Sequence, residues 1–254
     1  MLGKLVTSSP AIRRVDANPY EETPAVFGPP SEFLRDDSYT AFQVQQANRP
    51  LVLLTATNDG QVHAFKVARA KNEATSAEVN SLANNELWSF FPPAVLPSVA
   101  SQYPGAAKVL LDGPLVVKNV VYTRTTTQAQ AGSATWNTVA VGGLGSSVAA
   151  GGSSTGTGYY ALDVTNPVPV TSSPTTGPQF LWQLTTDNSA DPKPIFGTRS
   201  STPTIVTLYF DPTVGGAGAA PVERTVAILP GGDGAPASGA CSRARALGGR
   251  SAAR

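Results

Sequence analysis

The sequence predicts an all-β protein whose strands form successive four-stranded sheets, the arrangement of a partial β-propeller. The first observation is composition: 24 glycines and 22 prolines among 254 residues, with 41% hydrophobic and only 14% charged residues, are typical of many short strands joined by turns. The second observation is a repeat, because Val52, Val139 and Val226 begin similar apolar runs and each lies 87 residues after the previous one. The third is that other marks recur in the same order, so the repeat spans whole groups of strands.

Three further marks accompany the valine runs. They are a proline before an apolar strand (Pro10, Pro114 and Pro203), an alanine followed by a large apolar residue (Ala64-Phe65 and Ala161-Leu162), and a Leu-Trp pair (Leu87-Trp88 and Leu181-Trp182). Each unit therefore runs as four consecutive strands, an antiparallel meander. One such sheet cannot bury both of its faces, so units of this kind stack as the blades of a propeller do. The chain holds about two and a half blades, whereas a closed ring needs at least about four.

The first unit is predicted to open with a turn and a strand over residues 2–12. A hairpin follows, with strands at residues 51–55 and 61–67 around Asn58-Asp59-Gly60, because Asn, Asp and Gly tolerate the left-handed backbone of tight turns. The aromatic run at residues 86–91 is the fourth strand, and two prolines end it.

The second unit contains the clearest strands. Residues 138–141 are apolar and β-branched and end at Gly142-Gly143, which predicts a buried strand cut off by a flexible pair. Residues 159–164 form the returning strand. The third unit shows only its first two strands, after Pro203 and from Val226, so it is half a blade.

Long inserted loops explain why the repeat is about twice the usual blade length of roughly 40–50 residues. They are predicted at residues 16–50, 68–84, 92–109 and 145–158. Residues 16–50 show no sustained period, and within them residues 31–36 are expected to form one helical turn. Because loops on a rigid scaffold commonly carry binding, the loops 16–50 and 145–158 are the predicted contact surfaces.

Charge, cysteine content and hydropathy bear on the partners and the location of the protein. The formal net charge is +1, which gives no reason to expect a nucleic-acid partner. The single cysteine, Cys241, has no intrachain partner for a disulfide. No run of eighteen apolar residues predicts a transmembrane segment, and the first residues lead into no hydrophobic signal core, so any export signal is expected outside this sequence.

The last residues depart from the pattern. Residues 233–254 are rich in Ala, Gly and Arg and contain one large aliphatic side chain, Leu247, so they are predicted to be a disordered or out-of-frame tail. The propeller region is accordingly assigned to residues 2–232.

No catalytic, cofactor-binding or metal-binding residue is predicted. His63 is the single histidine, which excludes a multi-histidine metal site, and a packed structural role is expected for it. Asp59, Asp112 and Asp163 lie beside turns, where carboxylates accept backbone N–H groups. The cluster Asp187, Asn188 and Asp191 offers too few oxygen ligands for calcium and is interpreted as a loop.

The three tryptophans and one glycine run have structural interpretations. Trp88 and Trp182 occupy equivalent positions and are expected to fill the gap between neighbouring sheets, while Trp136 is expected to be partly exposed. The run Gly142-Gly143-Leu144-Gly145 is not a phosphate loop, because no helix pattern and no Lys-Ser/Thr follow it.

These marks together resemble the C-terminal β-propeller of the PilC/PilY family of type IV pilus proteins. The segments that carry the likeness are LGKLVTSSPAI (2–12), TNDGQVHAF (57–65), ELWSFFPPAVLPSV (86–99), LLDGPLVV (110–117), NTVAVGGLG (137–145), GYYALDVTNP (158–167), FLWQLT (180–185) and FGTRSSTPTIV (196–206). The resemblance implies quinoprotein-like blades in an exported, non-enzymatic protein at the outer membrane, cell surface or pilus. It also implies a role in pilus assembly, adhesion and twitching motility.

The resemblance further implies pilus subunits or pilus-tip minor pilins as partners, with a host or surface receptor as another. Calcium is implied for blades beyond this region, whereas no D-x-[DN]-x-[DN]-G pattern occurs in this chain. The alternative is a fragment of a quinone-dependent (PQQ-type) dehydrogenase, since that family shares the Ala-Leu-Asp and Leu-Trp marks. That enzyme needs a calcium, a catalytic carboxylate and usually a vicinal cysteine pair, and this chain has one cysteine.

Overall fold

The computed structural model describes twelve parts of the chain. They are residues 24–31, 37–68, 85–102, 109–125, 128, 134–145, 156–170, 172–173, 176–186, 194–210, 221–231 and 245–246. These residues form three four-stranded antiparallel sheets, which are named here sheets A, B and C. The all-β fold class is thereby confirmed.

Sheet A has the order β1-β2-β3-β4. Its strands are β1 (Ala25–Phe27), β2 (Leu51–Ala56), β3 (Val62–Ala68) and β4 (Glu86–Phe90). The predicted hairpin is confirmed, and Gly60 takes a φ of 96° at its turn. Each strand joins the next in sequence, so the sheet is the predicted meander.

The first strand of sheet A differs from the prediction. The sequence points to residues 2–12, which lie outside the described residues, but β1 lies inside the predicted loop 16–50 and pairs antiparallel with β2. Helix α1 (Asp37–Gln45) also lies in that predicted loop, beyond the helical turn expected at 31–36. The loop interpretation of this stretch was wrong because α1 is stabilised by tertiary contacts rather than by a visible apolar period.

Sheet B has the order β5-β7-β8-β9. Its strands are β5 (Leu115–Val121), β7 (Trp136–Gly143), β8 (Tyr159–Asp163) and β9 (Gln179–Leu184). All four lie where the repeat predicts them. The predicted loop 92–109 contains a 3₁₀ turn (Pro93–Val95) and helix α2 (Leu96–Gln102), so it is partly regular.

Sheet C is built differently from the other two. Strand β10 (Thr204–Phe210) pairs with β11 (Val222–Ile228) over its whole length, as half a blade predicts. The other edge of β11 is taken by two short strands, β6 (Thr123–Thr125) and β12 (Arg245–Ala246). Strand β6 continues from β5 of sheet B, so one extended segment joins two sheets. The assignment of 233–254 to a tail stays a prediction, since β12 is its one described part.

The strand registers confirm that sheets A and B are structural repeats. Ala64 lies opposite Trp88 in sheet A, and Ala161 lies opposite Trp182 in sheet B. Both sheets have a register shift directly after that alanine. A bulge is a specific local feature, so the same bulge at equivalent positions indicates one repeated unit.

Two hydrophobic clusters place sheet B between the other two sheets. The cluster between sheets A and B includes Leu54, Val62, Trp88, Tyr160 and Leu162. The cluster between sheets B and C includes Val139, Val141, Tyr159, Ala161, Ile205 and Ala227. Successive residues of β8 thus point into different clusters, which is the period of two expected of a strand buried on both faces.

The consecutive tyrosines of β8 give a matched pair of stability predictions. The Tyr159 hydroxyl lies 3.0 Å from Ser201 O and 3.0 Å from Pro230 O, whereas among the described residues the buried Tyr160 hydroxyl has no hydrogen-bond partner. Burial raises the pKa of Tyr159 to about 12 and that of Tyr160 still further. Tyr160→Phe is expected to leave the free energy of unfolding unchanged or to raise it by about 1 kcal/mol, because it removes a desolvated hydroxyl.

Urea unfolding of the two single variants checks this expectation. Tyr159→Phe is the control and is expected to lower the free energy of unfolding by about 1–3 kcal/mol, because it leaves backbone groups of Ser201 and Pro230 without the hydroxyl. The prediction would be wrong if Tyr160→Phe lowered the free energy of unfolding as much as Tyr159→Phe does.

Candidate interaction surface

One end of sheet B carries the predicted contact loop 145–158. Its base is fixed by backbone bonds: Leu144 N–H donates to Gly158 O at 2.9 Å, and Thr157 N–H donates to Gly197 O at 2.8 Å. Gly145 N–H donates to Ser200 Oγ at 2.8 Å. The loop therefore leaves from a rigid neck between sheets B and C. Residues 146–155 lie outside the described residues.

The turns of the other two sheets lie at the same end. Leu110 N–H donates to Asn58 O at 2.9 Å, which links the β2–β3 turn of sheet A to the segment before β5. Gly197 N–H donates to Gly231 O at 2.7 Å, which links the segment before β10 to the end of β11. We name this end of the stack the loop face. It comprises the turn at 57–61, the neck of loop 145–158 and residues 229–231.

Helix α1 packs against the opposite end of sheet B. The Trp136 indole donates to Ser38 Oγ at 2.9 Å, and the Trp136 ring meets the Tyr39 ring edge-on at a centroid distance of 4.6 Å. Tyr39 and Phe42 are buried. The expected partial exposure of Trp136 is confirmed, but its indole edge is covered by α1.

Arg49, which follows α1, connects sheets A and B. Arg49 is 5% exposed, and its guanidinium donates to Gly28 O at 2.8 Å and to Thr138 Oγ1 at 2.6 Å. A third bond reaches Thr165 O at 3.3 Å. The guanidinium also lies over the Phe27 ring, 5.3 Å from its centroid. A planar, multi-donor cation is well suited to this place because it satisfies several buried or partly buried oxygens at once.

A second polar network surrounds Asp163 at this end. The carboxylate accepts from Thr165 N–H at 2.9 Å, as predicted for a turn aspartate, and from the Asn137 amide at 2.9 Å. It also accepts from the Tyr122 hydroxyl at 3.0 Å. Burial and then the adjacent Asp163 charge raise the pKa of Tyr122 far above its ordinary value. These bonds fix the exit of β8 and the position of Tyr122 between β5 and β6.

The two predicted contact loops therefore do not form one surface. Helix α1 contacts Trp136 at the start of β7, whereas loop 145–158 begins after Gly143 at its end. At about 3.3 Å per residue the two sites are separated by roughly 23 Å along the strand. The described part of residues 16–50 is also largely packed, and Val44, 73% exposed, is its most exposed large apolar side chain.

The other predicted residues occupy structural positions. His63 is 2% exposed, and its Nδ1 lies 2.5 Å from Glu86 Oε1, so the predicted packing is observed. Asp59 accepts from the side chains of Thr57 and Gln61. Asp112 is buried against Gly145, whose φ of 80° suits glycine.

Trp88 donates to Pro167 O in the β8–β9 turn at 2.9 Å, so it docks sheet A onto sheet B as expected.

The described residues contain no group of three or more His, Cys, Asp and Glu side chains that could hold a metal ion. The cluster Asp187, Asn188 and Asp191 and the lone Cys241 lie outside the described parts of the chain. Within the parts that are described, neither helix has the length and apolar character needed to cross a bilayer.

The fold is a stack of repeated four-stranded antiparallel sheets with turns and a loop neck gathered at one end. No protein-family model matches the chain. The sequence is 29% identical over 139 residues to a type IV pilus biogenesis factor PilY1 homolog of Xylella fastidiosa (strain Temecula1), and the match takes in 54% of this chain and 9% of that protein. The predicted resemblance to the PilC/PilY family is confirmed by this relative, of which the chain matches a small part.

A solved structure is also similar to this chain. The crystal structure of the Pseudomonas aeruginosa PilY1 C-terminal domain aligns over 90% of this chain and 38% of that chain, with 21% sequence identity and a TM-score of 0.47.

Proposed function

We propose that this chain is part of the β-propeller module of a type IV pilus biogenesis protein and that it acts by binding, without catalysis. The observation that carries the proposal is the sequence similarity to the PilY1 homolog of Xylella fastidiosa, a type IV pilus biogenesis factor. The proposed location is the cell surface, outer membrane or pilus, and the proposed partners are pilus subunits, minor pilins or a surface receptor. We propose no cofactor for this chain.

The exposed faces of the stack support the propeller part of the proposal. Leu54, Val141 and Ile228 are equivalent positions, each 87 residues apart. The first two are fully buried against the following sheet, whereas Ile228 is 45% exposed. An apolar residue at this position in sheet C suits a further sheet stacked in the same way. The face of sheet C that carries Ile228 thus supports a further blade next to sheet C. The number of blades stays a prediction.

The loop face supports a binding role. Its turns and loop neck are held by backbone hydrogen bonds between neighbouring segments of the stack, so a partner would meet a preformed surface. Adhesion and twitching motility would follow from the pili that the protein helps to assemble.

Gene deletion in the source bacterium tests the proposal. Deletion of the gene that encodes the parent protein is expected to abolish or strongly reduce surface pili, measured as sheared pilin, together with adhesion and twitching. Replacement of residues 146–155 in the full-length protein by a two-residue turn is expected to reduce partner binding while the protein accumulates normally.

Two controls make the test specific. A Gly/Ser segment of the same length in place of residues 146–155 separates the effect of loop sequence from that of loop removal. Normal pili in the gene-deletion strain would contradict the pilus role, and normal piliation and adhesion with the shortened loop would remove this loop from the binding surface.

A further inference from the structure

The connection between β8 and β9 exposes apolar side chains at the edge of sheet B. Val168 is 41% exposed and Val170 is 50% exposed, and Pro169 between them is exposed as well. Phe180, near the start of β9, is 45% exposed. We name these four residues the apolar rim. Single exposed apolar residues are ordinary on a protein surface, but a contiguous group of them marks a candidate interaction surface.

Contacts with strand β4 of sheet A bring the two parts of the apolar rim together. The Trp88 indole donates to Pro167 O at 2.9 Å, directly before Val168. The Phe90 ring stacks on the Phe180 ring at a centroid distance of 6.0 Å. Trp88 and Phe90 are two residues apart on β4 and both pack toward sheet B, so their Cα atoms lie about 7 Å apart. The Val-Pro-Val segment and Phe180 are therefore neighbours where sheets A and B meet.

The Val-Pro-Val segment is held in one conformation before any partner binds. Pro167 and Pro169 fix their own φ at about −65°, and the residue before each proline is restricted to extended backbone. Val170 N–H donates to Thr176 Oγ1 at 2.8 Å. A partner that bound this segment would therefore lose little affinity to the ordering of a flexible loop.

The same segment can also lose its water at small cost. Both prolines lack an N–H group, and Ser173 N–H donates to Val170 O at 2.8 Å. Gly177 N–H donates to Asn166 O at 2.8 Å. Because these N–H groups are absent or bonded within the loop, an apolar partner surface can cover them without leaving donors unsatisfied.

The charge pattern indicates what kind of partner the apolar rim fits. No charged residue occurs between Asp163 and Asp187, so the stretch offers apolar, hydroxyl and amide groups. A charged partner surface would lose water here without gaining an opposite charge. A bilayer is also a poor match, because surface contacts with lipid usually combine large apolar side chains with Lys and Arg. The best match is a protein with an uncharged apolar groove.

We propose that the apolar rim is a docking surface for an uncharged apolar groove of a pilus subunit. The Val-Pro-Val segment is the anchor, and Phe180, backed by Phe90, extends the contact along the edge of the sheet. The choice of a pilus subunit rests on the proposed function, whereas the uncharged groove follows from the residues of the rim.

Biolayer interferometry with the immobilised full chain tests this surface. The probes are the purified major and minor pilins of the source bacterium, and saturable binding of at least one of them is expected. The double variant Val168→Thr/Val170→Thr is expected to weaken that binding by about tenfold or more, because hydroxyl groups replace methyl groups while the branched shape is kept. Raising NaCl from about 0.1 M to about 0.5 M is expected to change Kd by less than about threefold, because no charge takes part.

Val26→Thr is the matched control. Val26 is 57% exposed, and it lies between Ala25 and Phe27, which point toward sheet B, so its own side chain points away from sheet B. This variant is expected to change the affinity by less than about twofold, because it makes the same chemical change outside the apolar rim. Urea unfolding of both variants checks that the fold is retained.

Three results would overturn the proposal: no saturable binding of any pilin, equal affinity for the double variant, or a steep dependence on salt. Vesicles of phosphatidylethanolamine and phosphatidylglycerol are the remaining probe. If they bound the unaltered chain and not the double variant, the apolar rim would be a membrane contact and the proposal would be wrong. Gene deletion tests the pilus role without reference to the rim, so that role would stand if deletion removed pili and the rim bound no pilin.

Discussion

Replacing Trp88 with alanine is expected to lower the free energy of unfolding by about 3–5 kcal/mol, the usual cost of removing a large aromatic side chain from a core. Trp88 is 8% exposed, belongs to the cluster between sheets A and B, and donates its indole N–H to Pro167 O at 2.9 Å. The truncation would remove both the packing and the hydrogen bond that dock sheet A onto sheet B. Urea unfolding followed by circular dichroism measures the change.

A conservative variant separates the two contributions of this tryptophan. Trp88→Phe keeps an aromatic ring beside Ala64 but removes the indole N–H, so a smaller loss of about 1–2 kcal/mol is expected. A Trp88→Ala loss below about 1 kcal/mol would show that sheets A and B do not depend on this contact.

Replacing Arg49 with methionine is expected to lower the free energy of unfolding by about 3 kcal/mol or more. The substitution removes the donor to the buried Thr138 hydroxyl and to two partly buried carbonyl oxygens, Gly28 O and Thr165 O, and each loss of a buried partner costs about 1–3 kcal/mol. Methionine fills much of the same volume, so the loss reports on hydrogen bonding and charge more than on a cavity.

Lysine at the same position provides the control. Arg49→Lys keeps the positive charge but cannot reach several acceptors in one plane, so an intermediate loss of stability is expected. If chemical denaturation gave Arg49→Met the same midpoint and slope as the unaltered chain, the hydrogen bonds of Arg49 would not stabilise the contact between sheets A and B.

Much of the strand order was predictable from local patterns. The apolar run at Val139–Val141, the Asn58-Asp59-Gly60 turn and the two Leu-Trp pairs each specify a strand or a turn through neighbouring residues. Their recurrence at nearly constant spacing predicted repeated sheets, and the matching registers of Ala64 with Trp88 and Ala161 with Trp182 confirm it. A structural repeat is visible in the sequence because equivalent positions of each unit make equivalent packing contacts and therefore need similar residues.

The first strand of sheet A shows where local patterns are insufficient. Both Pro10-Ala11-Ile12 and Pro24-Ala25-Val26-Phe27 place a proline before an apolar run, so the sequence offers two candidates for one role. Pairing with β2 identifies Ala25–Phe27 as the strand. Such a choice depends on contacts with residues far along the chain.

The candidate interaction surface was predictable only in part. Loop 145–158 was identified from its small polar residues, and its neck lies on the loop face. Arg49 had no recognisable signal, because its partner Thr138 is 89 residues away and an arginine before a proline is typical of an exposed loop. The sequence also did not predict that α1 lies far from the loop face. Helix α1 contacts the start of β7, whereas the neck of loop 145–158 follows the end of β7.

By itself, the sequence determined the all-β class, the repeated four-strand unit and most strand positions, since these depend on side-chain periodicity and turn residues within short segments. Only the tertiary structure decided that Ala25–Phe27 pair with β2 as the first strand of sheet A, that Arg49 joins sheets A and B, and that the segment after β5 crosses to sheet C as β6. The physical reason is that these features arise from long-range hydrogen bonds between groups whose local sequence is equally compatible with a solvent-exposed loop.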